Sequence, residues 1–100
     1  MLSDLCVCLE LKQEIETVEG ERCLLVAAEK GELGILRTAD FDIHVVVLRA
    51  TDTEAEVELI GLSHTSVVYD GKIFRLSVGE KKTYTFRVNR DPILVELSYR

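Results

Sequence analysis

One hundred residues with 47% hydrophobic and 30% charged side chains suit a single domain spanning residues 1–100. Such a chain buries roughly 60–70% of the surface it exposes when unfolded, enough for one core without staples. One proline, six glycines and the absence of any repeat exclude linkers and low-complexity segments, and neither phosphate-binding glycine motif, GxGxxG or GxxxxGK[ST], occurs. The net charge of −6 is unevenly placed: residues 1–60 hold fourteen acids against five bases (−9), and residues 61–100 hold four acids against seven bases (+3), which excludes a uniformly basic surface.

From the N-terminus, Leu2-Ser3-Asp4 lacks a basic flank, and Glu10 and Lys12 interrupt the apolar run, so neither a signal peptide nor a membrane helix is predicted. Leu5, Val7, Leu9 and Leu11 alternate as in a strand. Residues 3–18 also carry a helical reading, with Val7, Leu11, Ile15 and Val18 on one stripe and Ser3 as N-cap. Glu19-Gly20 reads as a turn, Cys23–Ala27 as an apolar strand, Glu29–Gly34 as a glycine-bounded loop and Leu33–Arg37 as a short edge strand. Ile43, Val45 and Val47 alternate with His44, Val46 and Leu48, predicting a central strand covered on both faces. After a turn at Ala50–Thr53, Ala55, Val57 and Leu59 alternate with Glu54, Glu56 and Glu58. The phase then slips at Ile60-Gly61-Leu62, which predicts a bulge or bend.

In "SVVYDGKIFRLSVGEKKTYTFRV", Asp70-Gly71 has the composition of a two-residue hairpin turn. With that loop Val68 faces Ile73, one side carries Val67, Tyr69, Phe74, Leu76 and Val78, and the mixed side carries Val68, Ile73 and Arg75. A second turn at Gly79-Glu80 leads into Thr83–Val88, with Tyr84 and Phe86 on one side and Thr85 and Arg87 on the other. Asn89–Pro92 breaks the chain before a last strand, Ile93–Tyr99. The C-terminal forty residues thus read as a meander with one apolar face. Val, Ile and Thr make up 25 residues, favouring pleated structure. The expected fold is all-β, a small β-sandwich or partly open barrel of about eight short, mostly antiparallel strands.

Chemistry-bearing residues are few. Cys6, Cys8 and Cys23 are an odd set without zinc-ligand spacing and read as buried thiols in a reducing, cytoplasmic setting. Scarce Gln and Asn beside abundant Glu resembles thermophile usage. His64 lies beside Ser63 and Ser66, but neighbours on a strand point apart and no glycine elbow surrounds either serine, so no triad is read here. His44 reads as a core histidine, and Glu54, Glu56 and Glu58 as a solvated row. No catalytic residue, metal site or cofactor is expected, and the chain reads as non-enzymatic. The function expected is a small protein-interaction or structural subunit that self-associates as a homodimer, with Val68, Ile73, Arg75, Thr85 and Arg87 as partner-binding residues. The alternative is a nucleic-acid-binding β-barrel using Lys72, Arg75, Lys81, Lys82, Arg87, Arg90 and Arg100. It is disfavoured because the aromatic residues pattern inward and the rest of the chain repels phosphate.

Overall fold

The structure, a computed structural model, describes residues 4–65, 69–87 and 91–100. Alternation of apolar and polar side chains, reinforced by β-branched residues, makes eight strands: β1 (Cys6–Leu11), β2 (Cys23–Ala27), β3 (Leu33–Arg37), β4 (Phe41–Ala50), β5 (Glu54–Ser63), β6 (Tyr69–Ser77), β7 (Lys81–Phe86) and β8 (Ile93–Tyr99). They form two four-stranded antiparallel sheets, sheet I in the order β2-β1-β8-β7 and sheet II in the order β3-β4-β5-β6. The fold is an all-β sandwich. From residue 4 on, the helical alternative for residues 3–18 gives way to β1 and an irregular segment bridged at Thr17 to Thr38, and Ser3 lies outside the described residues. Among the described residues no helix is long and apolar enough to cross a membrane.

The turns follow from local chemistry. Thr38 Oγ1 accepts hydrogen bonds from the Asp40 and Phe41 N–H groups and donates to the Phe41 carbonyl, closing the β3–β4 hairpin. Thr51 repeats the pattern between β4 and β5, accepting from Thr53 N and Glu54 N. Gly79 takes a φ of 86°, which a side chain rarely adopts, and there the chain leaves sheet II for sheet I.

Between the sheets lies one aliphatic core: Val7, Leu9 and Leu11 from β1, Ile43, Val45 and Val47 from β4, Val57 and Leu59 from β5, and Val95 and Leu97 from β8 are all buried. Tyr99 is fully buried, yet its hydroxyl reaches the Thr51 carbonyl at 2.5 Å, joining β8 to the β4–β5 turn. The expected inward residues Phe74, Leu76 and Phe86 also face this core, and Tyr84 packs partly against it.

Four expectations change. Asp70-Gly71 is not a turn but part of β6, which pairs with β5 from Leu62↔Tyr69 to Glu54↔Ser77. Ile73 therefore stands opposite Glu58, not Val68, and Val67 and Val68 lie outside the described residues. The C-terminal region is not one meander, because β6 and β7 belong to different sheets. Gly61 marks no bulge: β5 runs straight through it, and a Cβ there would sit 2.7 Å from the Phe86 ring, so the glycine makes room for an aromatic. The irregularity lies in β4 instead, where the register shifts between Val47 and Arg49.

Candidate interaction surface

Strand β4 is apolar on both faces, as its sequence implies, but only one face is covered. Phe41, Ile43, Val45 and Val47 enter the core, whereas His44, Val46 and Leu48 lie half-buried on the outside of sheet II. Register places these outer residues among others of the same kind. Leu33 and Val46 are partners, as are Ile35 and His44, and His44 and Ile60. Leu62 continues the outward row of β5 beyond Ile60. Leu33 and Ile73, at the two edges of the sheet, are 51% and 56% exposed. The result is a field of aliphatic side chains on all four strands, interrupted by Asp42, His44 and Glu58 and bordered at the β3 edge by Thr17, Glu19 and Glu21, which line a cleft with Ile35. His44 is thus a surface residue inside an apolar patch, not a core histidine.

Ion pairs rim this field. At one end Arg75 lies 3.3 Å from Glu56 and 3.6 Å from Glu54, with Arg49 at 4.0 Å from each carboxylate. At the other, His64 Nε2 meets Asp42 Oδ1 at 2.9 Å and Nδ1 meets the Ala39 carbonyl at 3.1 Å. Two acceptors facing both ring nitrogens favour the doubly protonated imidazolium, so the Asp42 hydrogen bond, then the Ala39 one, raise the His64 pKa above its ordinary value. His64 is therefore a loop residue bound to its own chain. The row Glu54, Glu56 and Glu58 faces outward as expected, two of its carboxylates being matched with arginines.

The five residues read as partner-binding do not form one patch. Ile73 and Arg75 lie on the outside of sheet II, with Arg75 engaged by Glu54 and Glu56. Thr85 and Arg87 follow the outward phase of β7 in sheet I, on the opposite side of the sandwich. Val68 lies outside the described residues.

Between β6 and β7 the two sheets meet through side chains. Asp70 accepts the Tyr84 hydroxyl at 2.6 Å and the Arg87 N–H at 3.0 Å. Burial, then Asp70, push the Tyr84 hydroxyl pKa up to about 12. Tyr84 makes edge contacts with Phe74 and Phe86, at centroid distances of 5.5 and 5.1 Å. These rings are held against the core and are not arranged as a stacking platform for bases.

On the outer face of sheet I, Cys6 is half-buried, Cys8 buried and Cys23 exposed, so the expectation of buried thiols holds fully only for Cys8. Arg100 Nε lies 3.3 Å from Cys8 Sγ. Among the described residues no group of three or more His, Cys, Asp or Glu is placed to hold a metal ion. Comparison with known protein families, characterised proteins and solved structures finds no match.

Proposed function

We propose that this protein is a non-enzymatic interaction subunit whose aliphatic sheet II face is covered by a second copy of the same chain. The observation that carries the reading is the outer face of sheet II. An antiparallel sheet with one face on a core ordinarily presents polar side chains on the other, and a contiguous apolar patch is the mark of an association surface. Self-association is favoured over a charged partner because the rim is close to balanced, with Arg49 and Arg75 against Glu54 and Glu56, and His64 against Asp42. Two such faces can approach without the repulsion that a net charge of −6 would otherwise impose. A cytoplasmic setting suits the three free thiols. The nucleic-acid alternative is weakened by the pairing of Arg75 with carboxylates and by its separation from Arg87.

The test is sedimentation of the wild type and of a Val46→Lys/Ile60→Lys variant across a concentration series. Both substitutions lie on the outer face, so the fold is expected to persist while the dimer dissociates. A wild type that remains monomeric at tens of micromolar rules the reading out.

A further inference from the structure

Among the described residues no further strand pairs with either edge of sheet I, and the two edges differ. At β2 the five residues Cys23–Ala27 carry no charge and no proline, and Leu25 is 66% exposed. In the ladder to β1, Leu11 N–H reaches the Arg22 carbonyl and Ala28 N–H the Leu5 carbonyl. Hydrogen bonding in an antiparallel pair alternates. The backbone groups of Leu24 and Val26 therefore face β1, while those of Cys23, Leu25 and Ala27 point to the open edge, where the Ala27 carbonyl also accepts the Glu29 N–H at 2.8 Å. At β7 the same alternation turns Lys82, Tyr84 and Phe86 toward β8 and leaves Lys81, Thr83 and Thr85 facing outward. This second edge is basic, with Lys81 and Lys82 opening β7 after Glu80 and Arg87 following it. The first is flanked by acids, Glu21 before it and Glu29 after it.

We infer that copies of this chain also join edge to edge, β2 of one pairing antiparallel with β7 of the next and extending sheet I from molecule to molecule. Three independent features agree. The chain directions in the order β2-β1-β8-β7 make β2 antiparallel to β7, so a copy displaced sideways presents the correct partner without being turned over. The residues with outward-facing backbone groups also share the outer side-chain face on both strands, so the pairs Cys23 with Thr85, Leu25 with Thr83 and Ala27 with Lys81 keep the pleat continuous. In that register Glu21 stands opposite Arg87, and Glu29 lies diagonal to Lys81.

Charge also decides against the symmetric alternatives. Pairing β2 with β2 about Leu25 sets Glu21 against Glu29 of the other copy. Pairing β7 with β7 sets Lys81 beside Thr85 or Arg87 of a partner that is equally basic. Like charges directly opposite destabilise a strand pair, and opposite charges support it. A β2–β7 contact is head-to-tail and leaves a free edge at each end, so it gives growing oligomers and not a closed pair. The sheet II face is not involved, and this contact stands or falls separately from the dimer proposed above.

Sedimentation and negative-stain microscopy of the full chain at high protein concentration provide the test, at about 20 mM and about 500 mM salt. In low salt, species larger than a dimer are expected to grow with concentration. They should shrink toward the dimer in high salt, because exposed charge pairs are screened, whereas an aliphatic contact does not weaken. Leu25→Lys is expected to abolish the growth while leaving the dimer. Glu21→Arg and Arg87→Glu should each raise the concentration needed for growth about fivefold, and the double variant Glu21→Arg/Arg87→Glu should restore it. Circular dichroism confirms that each variant is folded. If no species larger than a dimer appears at several hundred micromolar in low salt, or if the charge swap fails to restore growth, the edge contact is overturned.

Discussion

The two sheets share a core but differ on their outer faces. On sheet I, Glu10 stands opposite Glu96, Thr83 opposite Glu96 in turn, and Lys81 opposite Ser98, so charged and hydroxyl groups interrupt every row around Cys8 and Leu25. On sheet II, Leu33, Ile35, Val46, Ile60 and Leu62 form a mainly aliphatic surface, broken by Asp42, His44 and Glu58. Inner faces have to be apolar for the fold to exist, since burial drives folding. Outer faces are free of that demand. Aliphatic residues on only one of the two outer faces are therefore not required by the core, and this is the contrast on which the proposed dimer rests.

The largest effect that sharpens this comparison comes from neighbours on one strand. Leu59, fully buried, and Ile60, half-buried, are adjacent on β5 but point to opposite sides. Leu59→Ala is expected to cost about 2–5 kcal/mol of unfolding free energy, and Ile60→Ala less than about 1 kcal/mol in the monomer, read from urea unfolding. Equal costs would mean that the outer face packs against this chain itself, and the contrast between the faces would dissolve.

A smaller effect is expected where the inner face leaves no room. Gly61→Ala puts a methyl group where Phe86 Cδ1 lies at 2.7 Å, and the overpacking should cost roughly 1–3 kcal/mol. A Phe86→Leu substitution in the same background should recover part of that loss, because the smaller side chain vacates the space.

The smallest effect belongs to the rim. The pKa of His64 is raised in the folded protein, mainly by Asp42. Its contribution to stability is therefore fully present below about pH 6.5, its ordinary value, and is lost as pH rises through the folded value. Thermal unfolding between pH 6 and 8 should show the wild type losing stability relative to His64→Gln, and identical profiles would remove His64 from the rim.

How legible this was in the sequence depends on range. Strands β1 to β5, β7 and β8 and the turn at Gly79 are legible because alternation and positive-φ glycine are local properties. Ile73 and Arg75 were correctly read as outward for the same reason. The Asp70-Gly71 turn does not form because an Asp-Gly pair is only a local preference, and a tertiary demand overrides it. Asp70 is held by Tyr84 and Arg87 from another sheet, and ten-residue β5 needs a partner running alongside it. Sheet membership was not readable at all, since alternation gives the phase of a strand and not its neighbours, and so Thr85 and Arg87 were grouped with residues on the far side. The signal for the aliphatic face was present in the outward row of β5, which changes from Glu54, Glu56 and Glu58 to Ile60 and Leu62. Along the chain alone it reads as a slip in phase because glycine stands between.

The order of strands also separates the sheets in time. Sheet II is contiguous along the chain from β3 to β6, and each of its hairpins closes a short loop. The centre of sheet I pairs the first strand with the last, Val7 opposite Tyr99, which closes nearly the whole chain at once. Loop-closure entropy and sequence separation make such pairings late and slow. Until β8 docks beside β1, sheet II is expected to stand with aliphatic side chains on both of its surfaces, so the residues proposed above for association are also those expected to expose the folding chain most to aggregation.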